Sequence, residues 1–443
     1  MYYDGDFECF SFTKEGDPMI IKNVRMIDPA NDTDRITDIF IHDGKITTAA
    51  EYEKMESDDA VIDGTGLIAG PGLVDVHVHF RDPGQTHKED IHTGALAAAA
   101  GGYTSVVMMA NTAPVIDDPA VVKDVLNRAR SEKIHIYTCA NVTKGMNGKE
   151  PCDYVSLLDA GAVGFTDDGR PIMDSAVLTD AFSAVSKLGV PVSLHEEDPA
   201  YITENGVNCG YAATSLGLTG SDRMAEISMI ERDLQIAAKT GVILNIQHIS
   251  TAEGVDLVRA AKKTNPNIHA EATPHHFTLT DSAVGTYGTL AKMNPPLRGA
   301  DDREAIWEGI ADGTIDIIAT DHAPHSLEEK SLDFAKAPSG IIGLETAFLL
   351  AYQTLYKKDI ADCSKLFTLM SLNPARLYGL DAGTLSVGSC ADIMIFSPDD
   401  VTDYTSSFSR SCNTPFLGKS FEGKIRYTIA RGQIVYSSED GRQ

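Results

Sequence analysis

The chain has 443 residues, 43% hydrophobic and 23% charged, with a formal net charge of −27 from 64 acidic and 37 basic residues. This is globular composition with ample length for a large core, and the acidic excess argues against nucleic acid or anionic lipid as a partner. Seven cysteines, at 9, 139, 152, 209, 363, 390 and 412, form no CxxC pair. They read as free thiols of a reducing cytosol rather than a disulfide framework.

The chain opens MYYDGDFECF, without a basic region or a long apolar run, so no secretory signal or membrane span is expected and the protein is placed in the cytoplasm. The first 15 or so residues are polar and irregular, and are expected to be loosely attached. Short strands follow in MIIKNVRMID, DIFIHDGKIT and AVIDGTGLIAGPG, with a hairpin at Asp43-Gly44. The far end returns to this style in ADIMIFSP and KIRYTIARGQIVYSS, with a second hairpin at Arg431-Gly432.

Between these ends strand and helix alternate. Strands are expected at 73–79, 104–110, 134–140, 162–166, 191–195, 242–247, 268–272 and 315–320. Helical patterns separate them, among them HKEDIHTGALAAAAGG, SDRMAEISMIERDLQIAAKTG and TAEGVDLVRAAKKT. Eight apolar strands each followed by a helix predict a (β/α)8 TIM-type barrel over 68–384. The two ends, 1–67 and 385–443, are expected to form one small β-sandwich domain. A doubly wound sheet competes on pattern alone, but polar residues gather at the strand ends, as on one barrel face.

His77 and His79 lie two apart on the first barrel strand, so both imidazoles project to one side and can reach one metal. An HxH pair alone is more often structural. His195, His248 and Asp321 close three further strands, and five candidate ligands at four strand ends point to a one- or two-zinc site. The fourth strand ends in Asp167-Asp168-Gly169; either carboxylate could bridge two metals, and spacing does not choose between them. Arg81 offers a bidentate fork for a carboxylate, while Asn111, Asn294 and His325 sit in loops after strands, where function concentrates. His42, His87, His92 and His135 read as structural or exposed. His275, His276 and His322 lie nearer the expected site mouth, where supporting roles fit.

With these residues located, the chain resembles the bacterial class I dihydroorotases of the amidohydrolase superfamily over nearly its whole length. GLVDVHVHFRDPG, MMANTAPVID, GFTDDG, LHEED, QHIS, EATPHHFTLT, KMNPPLR, DGTIDIIATDHAPHSLEEK and NTPFLGK carry the resemblance in family order. It implies a zinc enzyme that reversibly closes N-carbamoyl-L-aspartate to L-dihydroorotate. By carry-over, His77, His79 and Asp321 hold one zinc and His195 with His248 the other; Asp168 and a hydroxide bridge them. Asp321 is the general acid/base. Arg81, Asn111 and His325 bind the substrate carboxylate, Asn294 contacts the ring, and Ser339 and Gly340 offer backbone contacts. Ser339 stands where the family usually has an aromatic residue, and Ala110 where it more often has proline. The family also implies a homodimer and leaves association with aspartate transcarbamoylase open. Two alternatives remain: another cyclic amidase of the allantoinase or dihydropyrimidinase type, whose relatives bridge metals with a carbamylated lysine, or a silent subunit scaffolding the transcarbamoylase.

Overall fold

The computed structural model describes residues 17–53 and 60–439. The expectation of a loosely attached first segment lies outside the described residues, as does Cys9. The six described cysteines are free thiols.

Residues from both chain ends build one eight-stranded sheet. Its N-terminal members are β1 (Met19–Asp28), β2 (Thr33–His42), β3 (Lys45–Thr47), β4 (Ala60–Asp63) and β5 (Ile68–Pro71). The next strands in the chain are β6 (Leu73–Val78), β7 (Tyr103–Met108), β8 (His135–Thr138), β9 (Pro191–Leu194), β10 (Ile243–Ile246), β11 (Ile268–Ala272) and β12 (Ile317–Ile318). The chain then returns to the first sheet with β13 (Ile393–Tyr404), β14 (Lys419–Ala430) and β15 (Gln433–Ser437). The order is β15-β14-β13-β5-β1-β2-β3, with β4 on the other half of the β1 edge that β5 uses.

Both hairpin turns take the left-handed backbone that a two-residue loop demands: Asp43 and Gly44 have φ of 49° and 69°, Arg431 and Gly432 of 51° and 75°. Ala391 ties the two tips together, donating to Gly44 O at 2.8 Å and accepting from Gly432 N at 3.0 Å. The termini are thus joined by backbone hydrogen bonds as well as by the apolar cluster around Ile21, Ile41, Ile393 and Ile429.

The middle strands are parallel and rich in apolar residues, and β6, β7 and β9 are buried along their whole length. They form the sheets β6-β7-β8 and β12-β11-β10-β9. The fourth expected strand is not continuous. Phe165 alone bridges Ala140 on one side and Val192 on the other. Gly164 explains the interruption: a side chain there would run into Tyr378 and the Pro191 carbonyl, so the segment is held close but cannot be built from ordinary strand residues. At the opposite edge Val78 bridges His322. β12 is also shorter than expected, because the buried Asp75 carboxylate takes the Thr320 N–H at 3.2 Å in place of a ladder carbonyl.

Helices pack outside these strands. Met224–Thr240 ends at Gly241, with φ of 72°, and Ala252–Lys262 starts at a Thr251 cap, both close to the expected bounds. The pattern beginning at His87 is helical only from Ile91, since Asp90 caps the Thr93 N–H and stops the helix there. Among the described residues no helix is long and apolar enough to cross a membrane.

Candidate metal centre

The alternation of β6 sends His77 and His79 to the same side, and both rings are buried. His195 follows β9 directly, His248 lies two residues beyond β10, and Asp321 three beyond β12. All converge on Asp168. Its Oδ1 lies 3.6 Å from His77 Nε2, 3.8 Å from His195 Nδ1 and 3.9 Å from His248 Nε2. Its Oδ2 lies 3.5 Å from His79 Nε2. Asp321 Oδ1 completes the cluster at 2.9 Å from His79 Nε2 and 3.5 Å from His77 Nε2.

The donors fall into overlapping groups whose atoms lie within 4.8 Å of one another: His77, His79 and Asp168; Asp168, His195 and His248; and His77, His248 and Asp321. Asp168 is shared by the first two. The neighbouring Asp167 points elsewhere, accepting from Val142 N at 2.9 Å and Thr143 N at 3.2 Å, where burial pushes its carboxyl up to about 6. Burial would raise Asp168 too, but the imidazoles of His77, His79 and His195 hold it well below the usual carboxylate range.

The opposite ring nitrogens show why this set fits metal ions. His77 Nδ1 faces Glu271 Oε1 at 2.5 Å, His79 Nδ1 faces Asn111 Oδ1 at 3.0 Å, and His195 Nε2 faces Glu197 Oε2 at 3.0 Å. An acceptor on one nitrogen fixes the proton there and leaves a lone pair on the other. Those lone pairs aim inward, and His77 Nε2 is buried with no hydrogen-bond partner among the described residues. Imidazoles that give up their inward proton to a metal, and carboxylates within this span, suit divalent ions of the zinc type.

Backbone strain marks the same residues. Arg81, His248 and Asp321 have φ of 56°, 33° and 46°, a region costly for residues with side chains.

Beside the cluster, Arg81 meets the Pro324 carbonyl at 3.3 Å and His325 Nε2 at 3.5 Å, and among the described residues no carboxylate pairs with it. His325 Nε2 lies 2.9 Å from Ser339 O, and burial, with Arg81 nearby, pushes its imidazole down to about 2. It is therefore neutral at ordinary pH. Ser339 Oγ stands 3.0 Å from Oδ1 of both Asn294 and Asn205, and its one O–H donates to one of these amide oxygens at a time, a bond that an unsubstituted ring would not make. Gly340 has φ of 146°, and a side chain there would strike Ala323 and His325. Asn111 is engaged with the cluster itself: besides His79, its Nδ2 donates to Asp168 Oδ2 at 2.9 Å.

Glu271, Glu197 and Asp75 escaped the sequence reading. Glu271 stands one residue before the end of β11 in EATPHH, and Glu197 two residues after His195 in LHEED. Acidic residues at the ends of buried strands were the available signal. His276 supports the wall, its Nε2 donating to Pro295 O at 2.9 Å. His322 contacts Glu89 Oε2 at 3.2 Å behind the cluster.

Comparison with known proteins accords with this geometry. Residues 68–435 match the amidohydrolase family. The chain is 48% identical over 420 residues to a dihydroorotase of Clostridioides difficile, covering 95% of this chain and all of that protein. It is 48% identical over 422 residues to a dihydroorotase of Streptococcus pyogenes serotype M3, covering 94% and 99% respectively. Among solved structures, an L-hydantoinase (dihydropyrimidinase) from Arthrobacter aurescens superposes with a TM-score of 0.84 at 25% identity, over 95% of this chain and 96% of that one. A dihydropyrimidinase from Brevibacillus agri, at 22% identity, a TM-score of 0.81 and 95% coverage of each chain, shares the fold. The chain belongs to the amidohydrolase family and, within it, to the dihydroorotases.

Proposed function

We propose that this protein is a two-zinc dihydroorotase that reversibly closes N-carbamoyl-L-aspartate to L-dihydroorotate, with its site at one mouth of a closed (β/α)8 barrel over 68–384. The described residues of 1–67 and 385–443 form the smaller β domain, which also takes in β5. The bridges of Phe165 and of Val78 to His322 support a closed ring of strands. The observation that carries the functional reading is Asp168, set among four imidazoles and beside an arginine that no carboxylate pairs with among the described residues.

His77, His79 and Asp321 would hold one ion, His195 and His248 the other, and Asp168 both. When bound, the ions supply a water acidified towards neutral pH and a polarised substrate carbonyl. Asp321 takes the proton of the attacking water and returns it to the ring nitrogen as the carbon–nitrogen bond breaks. A carboxylate and a ureido NH2 result; the reverse sequence closes the ring and releases water. Arg81, with His325 and Asn111 at hand, binds the substrate carboxylate, and Asn294 with the Ser339-Gly340 backbone faces the ring.

The rival reading, a cyclic amidase for uncharged rings, leaves Arg81 with nothing to bind. Ring opening of dihydroorotate, followed as carbamoyl aspartate released, tests the proposal. Turnover that stops with a chelator and returns with zinc is expected; none from metal-loaded protein would overturn it.

A further inference from the structure

A second group of metal-type donors lies apart from the cluster around Asp168. His135 opens β8, while Cys390 and Asp392 stand just before β13. One ligand atom from each lies within 4.8 Å of the other two. Asp392 Oδ2 is 3.0 Å and Cys390 Sγ 3.8 Å from the same nitrogen, His135 Nε2. A catalytic relay would place its base and its acid on opposite nitrogens; convergence on one nitrogen describes a shared ligand position instead. Asp392 is buried, and its Oδ2 meets the imidazole of His135 at 3.0 Å, so a buried carboxylate oxygen is already aimed at the shared position. The carboxylate's other oxygen is occupied, accepting from Arg431 N at 2.8 Å.

We propose that His135, Cys390 and Asp392 bind a divalent cation of the zinc type, which staples β8 to the strand that returns the C-terminal segment to the terminal sheet. Nitrogen, sulfur and oxygen donors together suit zinc, with a fourth position left to water on the partly exposed side of His135. Burial and Asp392 push the Cys390 thiol up to about 12, so coordination must release that proton to solvent. The imidazole proton then resides on Nδ1, which faces Arg431 Nη2 at 3.4 Å. The guanidinium gives up only this long contact, because it also donates to the carbonyls of Glu132 and Ile134. Thiolate and carboxylate outweigh its single positive charge.

Cobalt substitution of the full chain tests the site. Among the described residues no cysteine stands with the donors around Asp168, so a thiolate-to-cobalt charge-transfer band in the near ultraviolet reports the second site. We expect a band whose intensity corresponds to one thiolate-bound cobalt per chain, beside the two ions held around Asp168, that vanishes in Cys390→Ser and weakens at least tenfold in cobalt affinity in Asp392→Asn, which keeps an oxygen for Arg431 N. Turnover of dihydroorotate stays near normal in both variants. Wild-type protein with no charge-transfer band, or a band that survives Cys390→Ser, would overturn the proposal. Failure of the dihydroorotase reading would appear separately, as lost turnover.

Discussion

Glu271 Oε1 lies 2.5 Å from the Nδ1 of His77, across 194 residues of chain, and turns the other nitrogen of that ring towards Asp168 and Asp321. The glutamate is itself fixed by Asn245 Nδ2 at 3.0 Å. Removing such an acceptor frees the ring to rotate and to change tautomer. Glu271→Ala is expected to weaken metal binding by about 10- to 100-fold, measured as metal retained against a graded chelator. Unchanged retention would mean that His77 needs no such orientation.

Arg81 sits in a strained backbone conformation beside the cluster, with no carboxylate partner among the described residues. Arg81→Met should lower kcat/KM for dihydroorotate by roughly 1000-fold, because a buried carboxylate would then lack its charged donor. Metal content should stay at the wild-type value. Steady-state kinetics beside elemental analysis separate the two, and near-normal turnover would take Arg81 out of the substrate site.

Asp321 reaches His79 at 2.9 Å and is the proposed proton carrier. Asp321→Ala should abolish ring opening and ring closure alike, since one group serves both directions. Assays from dihydroorotate and from carbamoyl aspartate check this. An appreciable rate in either direction would require another base.

His276 predicts a pH effect on stability. Burial pushes its imidazole down to about 4, and its Nδ1 lies 2.7 Å from Thr273 Oγ1, a bond that suits the neutral ring. The unfolded imidazole titrates near 6.5. Between those values the unfolded chain holds a proton that the folded chain refuses, so stability falls as pH drops from about 6.5 towards about 4. The loss reaches about 1.4 kcal/mol per pH unit for this one group. His276→Gln should flatten that fall by one proton, read from urea midpoints at pH 7 and pH 5 under equal metal loading. Parallel curves for the two proteins would contradict the assignment.

The parts of the site legible in the sequence are those governed by local period. His77 and His79 are readable as a pair because strand alternation puts them on one face, and the hairpins at Asp43-Gly44 and Arg431-Gly432 because only certain residues tolerate that backbone. Asp167 and Asp168 look equivalent in the sequence. Family resemblance pointed to Asp168, and the folded chain separates them: one caps Val142 and Thr143, the other faces the imidazoles. Glu271 was out of reach because its partner lies on β6, and no spacing rule links strands so distant. The fourth strand, reduced to the Phe165 bridges, and the shortened β12 reflect tertiary substitutes for ladder bonds that local pattern does not encode.

The central claim is a metal centre matched to a ring that carries a carboxylate. Its most direct test is the ratio of kcat/KM for dihydroorotate to that for dihydrouracil, which differ by that carboxylate, on one metal-loaded preparation. A ratio of at least about 10⁴ is expected, collapsing in Arg81→Met. A ratio near one, or a preference for dihydrouracil, would contradict the account and return the chain to the broader cyclic amidases.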